Sequence, residues 1–280
     1  MPKLIVFGDS FASSFTPGKG PNWMQSLAEN LGCQAELIFG KSGSSLNYSA
    51  HQLMHYLESP QYEVDDIIVF VFTSRTRSRL INENFHPGWA CENVRHASGN
   101  FREGHPAEHF YKKYSEYFRL ELELTSAKDY EVERFKIAMT LKQLPNMTVA
   151  ISAFDKVVDF GGKTFMLADT HNFVLLDAEL ANISNKEFVH GCNFQKFYNF
   201  FRGEIRNCHF SKTNNQVLAD LLSACIHNKS RNYFDCTQFK QNFLGLGQEY
   251  EAMYQEEMGA EWTRYKTQAS TDGVYFGFRF

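Results

Sequence analysis

Five short runs of apolar residues divide the chain: Leu4–Phe7, Ala35–Phe39, Asp65–Phe72 beyond its two acidic residues, Met147–Ala153 and Phe173–Leu176. Each has the length of a strand and contains valine or isoleucine, which favour a pleated backbone. The third run is apolar without alternation, as expected of a central parallel strand covered on both faces. Between the runs, apolar residues recur at helical spacing. Trp23, Leu27 and Leu31 follow Pro21 and stop at Gly32, predicting a helix closed by glycine. Further helices are predicted over Tyr48–Leu57, about Ala107–Thr125, Glu131–Leu144 before Pro145, and through Asn215, Val217, Leu218, Leu221 and Leu222. Strands alternating with helices predict an α/β protein with three layers, α/β/α, around a mostly parallel sheet.

Two stretches fall outside that alternation. Residues 80–110 contain Asn82, Pro87, Gly88, Gly99, Gly104 and Pro106, which break any period. We read them as an insertion at the functional edge of the sheet, where long loops carry substrate contacts. A Phe-rich piece, Phe188–Phe201, is expected beside the fifth strand. From Lys229 to Phe280 the chain is rich in Tyr, Phe and Gln, with a helix predicted over Gln248–Tyr265 and strand-like alternation over Val274–Phe280. The expected organisation is a core domain over 1–228 and a C-terminal extension over 229–280. The extension leaves three roles open: closing over the core, oligomerisation, or docking into a larger assembly.

Composition narrows the function classes. A chain of 280 residues can bury one sizeable core. A net charge of −4 and an isoelectric point near 6.2 carry no electrostatic footprint for nucleic acid. No run of 18 apolar residues is present, so no membrane span is expected. The apolar run after Lys3 is too short for a signal-peptide core, and the chain as written reads as cytoplasmic, with export or incorporation into a larger particle by another route left open. Six scattered cysteines without a Cys-x-x-Cys pair read as free thiols.

Chemistry concentrates where the first apolar run ends. Gly8-Asp9-Ser10 leaves one serine on a tight turn at the carboxyl end of a strand, where open α/β sheets place their ligand sites. A Gly/Ser loop, Gly40-Lys41-Ser42-Gly43-Ser44-Ser45, follows the second run. Near residue 209, Cys208-His209-Phe210-Ser211 leads into the helical period that starts at Asn215, with Ser211 available as a cap. His209 has the side chain best suited to general acid–base work near neutral pH.

These three blocks, in this order over roughly residues 1–228, resemble those of the SGNH/GDSL hydrolase superfamily. The resemblance implies a flavodoxin-like α/β/α fold and a serine esterase or acylhydrolase that removes a small acyl group, with carbohydrate esters a common substrate class. It implies Ser10 as acyl nucleophile, His209 as its base, and the N–H groups of Ser10 and Gly43 as oxyanion donors. No metal and no organic cofactor is implied.

Two blocks depart from the superfamily pattern. Arg206 stands where an Asp is usual, three residues before the His. The group orienting His209 is then Glu204, the Asn207 side chain or a backbone carbonyl, and among these only Glu204 would stabilise the imidazolium by charge. After the third strand, Thr73-Ser74-Arg75-Thr76-Arg77-Ser78-Arg79 lacks the usual Asn, leaving Thr73, Ser74 or an arginine as the third oxyanion donor. Ser74 is the candidate carried forward. Arg75, nearest the catalytic edge, and Asp9, beside Ser10, are the candidates for contact with substrate, since a guanidinium matches carboxylate or phosphate. The alternative for the arginines is a solvated strand end.

A second function class also fits these departures. The chain would then be an SGNH-fold component that binds a glycan or protein, or builds an assembly, with little or no turnover. A third reading, O-acyl transfer to a sugar, uses the same residues as the esterase. Other motifs carry less. His105-Pro106-Ala107-Glu108-His109 has the order of an inverted zinc-peptidase motif but no evident distal acidic ligand. His51 and His55 read as a surface pair one helical turn apart, and Gly161-Gly162-Lys163-Thr164 lacks the first glycine of a P-loop.

Overall fold

The computed structural model of the chain describes residues 1–12, 22–41, 44–73, 127–153, 169–176, 178, 180, 183, 210 and 212–239. The insertion over 80–110, the helices expected at 107–125 and 248–265, the Phe-rich piece at 188–201 and the terminal alternation lie outside the described residues.

All five apolar runs are strands: β1 Leu4–Phe7, β2 Glu36–Ile38, β3 Ile67–Phe72, β4 Thr148–Ser152 and β5 Phe173–Leu176. They form one all-parallel sheet in the order β2-β1-β3-β4-β5. Leu4 pairs with Glu36 on one side and Ile67 on the other, so β1 and β3 occupy the middle of the sheet. Four helices connect and cover it: α1 Trp23–Asn30, α2 Leu46–Glu58, α3 Ala127–Gln143 and α4 Lys212–Asn228.

The two-residue period of the strands sorts their side chains into two cores. Leu4, Val6, Val69, Val71, Val149, Ile151, Val174 and Leu176 lie with α1 and α4 on one face. Ile5, Phe7, Ile68, Phe70, Phe72, Phe173 and Leu175 lie with α2 and α3 on the other. The result is the three-layer α/β/α sandwich. The faces differ in kind. The first is aliphatic in its strands; on the second, Phe7 stacks on Phe39 and Phe70 at ring-centroid distances of 5.2 and 6.3 Å and tilts against Tyr56 at 5.9 Å.

Local signals set the helix ends. Asn22 caps α1 by accepting from the Gln25 amide at 2.9 Å while the Gln25 side chain accepts from the Asn22 amide at 3.1 Å, a closed capping box. At the other end Gly32 adopts φ +64°, and the amides of Gly32 and Cys33 donate back to Glu29 and Ala28. That is the glycine stop its position predicts. Helix α2 starts two residues before its expected bound because Ser45 caps it through the Tyr48 amide. Helix α3 starts at Ala127, four residues before its expected bound, and α4 runs on to Asn228, six residues past Leu222.

Chain beyond α4 does not leave the core at once. Arg231 donates from its amide and its Nε to Asp169, and Phe239 is buried in the aliphatic core with Phe234 against it. Residues 231–239 therefore return along α4 and β5 to the layer that α1 occupies. Among the described residues, no helix is long and apolar enough to cross a membrane.

At the N-terminal edge of the sheet, buried polar groups close the core. Asp66 accepts from the Lys3 amide at 2.8 Å, pairs with the Lys3 ammonium at 3.2 Å, and accepts from the Tyr56 hydroxyl. Burial first, and then the Asp66 carboxylate, hold Tyr56 well above the usual tyrosine range. Asn146 ties the same corner to Tyr62 and to the carbonyls of Glu63 and Asp66.

Candidate active site

In the order 2-1-3-4-5 the strand order reverses between β1 and β3, and the crevice beyond their carboxyl ends is where such sheets bind ligands. Ser10 stands at that point. It opens a 3-10 turn, Ser10–Ala12, directly after β1, and is half-buried.

The turn is held from several directions. Gly8 reverses the chain with φ +151°, a conformation that disfavours any Cβ, and a Cβ there would lie 2.8 Å from Val71 Cβ. Asp9, a substrate-binding candidate by sequence, is fully buried instead. Its carboxylate accepts from the Phe11 amide at 3.0 Å and from the Thr73 hydroxyl at 2.7 Å, while its carbonyl accepts from the Ala12 amide at 3.0 Å. A short carboxylate next to a tight turn finds backbone donors within reach before it can reach a ligand. Asp9 thus ties the end of β1 to the end of β3.

Those contacts assign several donors. The Phe11 and Ala12 amides are committed to Asp9, as is the hydroxyl of Thr73, one of the three candidates for a third oxyanion donor. The Thr73 carbonyl accepts from the Tyr130 hydroxyl of α3. One helical turn along α3, the buried Arg134 donates to Ser152 Oγ at 3.1 Å at the end of β4. Its guanidinium sits over the rings of Phe72 and Tyr130 at 5.1 and 5.6 Å, so a cation is held by aromatic faces under this edge of the sheet.

The loop after β2 docks onto the same turn. The Lys41 amide and the Ser44 hydroxyl both donate to the Gly8 carbonyl, at 3.1 and 2.9 Å. Gly40 makes this approach feasible: a Cβ on it would fall 1.7 Å from the Ala12 carbonyl oxygen. Sequence reasoning chose Gly43 in this loop and passed over Gly40. The only available signal was a glycine directly after an apolar run, a signal that Gly8 shares.

A fourth element reaches the turn from the far end of the chain. Phe210, one peptide bond after His209, is buried with its ring edge-on to Phe11, one peptide bond after Ser10, at a centroid distance of 6.0 Å. Polar bonds reinforce this contact. The Trp23 indole donates to the Phe11 carbonyl at 2.7 Å, the Trp23 amide donates to Asn215 Oδ1 at 3.3 Å, and Asn215 Nδ2 donates to the Phe210 carbonyl at 3.2 Å. On its other side Phe210 stacks on Phe239 at 5.4 Å. Trp23, Asn215 and Phe239 were not among the candidate site residues, because a tryptophan or asparagine at a helix start reads first as a packing or cap residue.

Gly43, Ser74, Arg75, Glu204 and His209 lie outside the described residues. Of the candidate residues, the structure therefore describes Ser10 and Asp9, which it sets side by side on the turn. The described residues hold no group of three or more His, Cys, Asp or Glu side chains able to bind a metal ion. No family model, no curated protein and no solved structure matches the chain.

Proposed function

We propose that the chain is a serine acyl-ester hydrolase of the SGNH type, acting on a small-molecule or glycan ester. Ser10 Oγ attacks the ester carbonyl while His209 takes its proton. The Ser10 and Gly43 amides, with Ser74 as third donor, hold the oxyanion. His209 then returns the proton to the leaving alkoxide, and water, deprotonated by the same imidazole, releases the acyl group from Ser10. Glu204 orients the imidazole, and Arg75 contacts the substrate.

The observation that carries this reading is the contact between Phe210 and Phe11. It joins the immediate chain neighbours of the proposed base and nucleophile across 199 positions, at the switch point of the sheet. Two further features support it. The turn bearing Ser10 is fixed before any substrate arrives, as nucleophilic catalysis requires. The loop that contains Gly43 is anchored on either side of that glycine, through Lys41 and Ser44, to the carbonyl two residues before Ser10.

Arg206 in the usual Asp position and the missing Asn after β3 favour a second reading, a glycan- or protein-binding or assembly component with little turnover. Hydrolysis of p-nitrophenyl acetate by the wild type, Ser10→Ala and His209→Ala separates the two. The esterase reading expects both substitutions to abolish turnover. Equal low rates in all three proteins would leave only the binding reading. Product analysis with a sugar acceptor present distinguishes transfer from hydrolysis.

A further inference from the structure

Helix α2 buries Leu46, Ser49, Leu53 and Tyr56 and turns His51 and His55 to solvent. One helical turn apart on one face, the two imidazoles lie with ring centroids 4.3 Å apart and planes at 89°. Among the described residues neither ring has a hydrogen-bond partner, so no described group competes for their nitrogens.

We propose that His51 and His55 form a surface site for a divalent transition-metal ion, with water filling its remaining positions. An ion about 2.0 Å from one nitrogen of each ring lies roughly 3.2 Å from each centroid, which puts the centroids roughly 4.5 Å apart for ligands at a right angle and roughly 5.2 Å apart at the tetrahedral angle. The observed spacing is closer to the right-angle value, the arrangement of tetragonal copper(II) and nickel(II). Aiming both nitrogens at a single point needs only side-chain rotation, which leaves the ring centroids nearly in place. The outer torsion of histidine, about which the ring turns, is broad and soft. Copper(II) should bind more tightly than nickel(II), and both more tightly than manganese(II). Because the ion bridges one turn of α2, it also raises the melting temperature of the folded chain.

The chain has ten histidines, so the test is a difference between variants. Nickel(II) is titrated by calorimetry into full-length wild type, His51→Gln, His55→Gln and, as a control on another exposed imidazole, His171→Gln. The expected result is one equivalent in the wild type and the control whose affinity falls by roughly tenfold or more in either α2 variant, as when chelation by two tethered donors drops to one. Copper(II) paramagnetic resonance should show coupling to two imidazole nitrogens in the wild type and to fewer in either variant. Both side chains are exposed, so circular dichroism should show an unchanged fold. Equal stoichiometry and affinity in wild type and both α2 variants, or no saturable binding in any, would overturn the proposal.

Discussion

The bond between Asp9 and Thr73 can be measured directly, because it joins the ends of the two central strands and leaves the rest of the core untouched. Asp9 is fully buried, and its carboxylate accepts at 3.0 Å from the Phe11 amide and at 2.7 Å from the Thr73 hydroxyl. Hydrogen bonds to charged groups contribute about 1.5–3 kcal/mol each, so Asp9→Ala should lower stability by about 3–6 kcal/mol. Thr73→Val keeps the shape, removes the bond from the Thr73 hydroxyl and should cost about 1.5–3 kcal/mol. Once Asp9 is gone the Thr73 hydroxyl has lost that acceptor, so the second change costs little in the Asp9→Ala background. The cycle of single and double variants, followed by urea unfolding with tryptophan fluorescence, should give a coupling of about 1.5–3 kcal/mol. Additive effects, to within about 0.5 kcal/mol, would show that the carboxylate does not hold the turn through Thr73 and would remove the reasoning about how Ser10 is positioned.

Three other substitutions probe the same account. Gly40→Ala forces the β2 loop off the Ser10 turn, since its Cβ would overlap the Ala12 carbonyl; it should destabilise the fold by at least about 2 kcal/mol and slow any Ser10-dependent reaction, read by thermal melting and by rate. Phe239→Ala should cost about 3–5 kcal/mol by emptying the space against Phe210, whereas Phe239→Leu should recover most of it; equal stability of wild type and Phe239→Ala would mean the segment after α4 is not part of the core. Burial, and then the nearby Asp169 carboxylate, push the Cys225 thiol up to about 12. The unfolded chain then loses that proton first, so stability should be intact below about pH 8.5 and fall as pH rises toward 12, by at most about 1.4 kcal/mol per unit, with a shallower fall in Cys225→Ala.

Much of this fold is legible in the sequence, for physical reasons that particular residues make plain. A parallel strand buried on both faces has to be apolar along its whole length, so Leu4–Phe7 and Ile67–Phe72 announce themselves without any partner being known. Asn22 with Gln25, and Gly32, act within one helical turn, and local chemistry of that kind survives in a linear pattern. What is not legible depends on distance through space. Nothing in the neighbourhood of Gly40 tells that Ala12 lies against it. The bond from Trp23 to Asn215 spans 192 positions, and the ring of Phe239 reaches Phe210 from beyond α4. Asp9 is a related case. An acidic residue beside a candidate nucleophile reads as a ligand contact, and only the third strand, arriving with Thr73, shows that its carboxylate faces inward.

The candidate site divides in the same way. Its candidate nucleophile, Ser10, stands out because a serine at the carboxyl end of a first strand is a local pattern. The support for it was not, because α1, α3, α4 and the segment after α4 all contribute, each from a different part of the chain. These contacts put the described part of the site at the edge of the sheet opposite the Asp66 cluster, with separate polar groups serving each end.

The central claim, that Ser10 is an acyl nucleophile activated by His209, is tested most directly by covalent labelling with a fluorophosphonate followed by peptide mass mapping. The account predicts a single adduct on the peptide that contains Ser10, absent in Ser10→Ala and formed far more slowly in His209→Ala. A wild type that takes up no label, or an adduct that persists in Ser10→Ala, would contradict it.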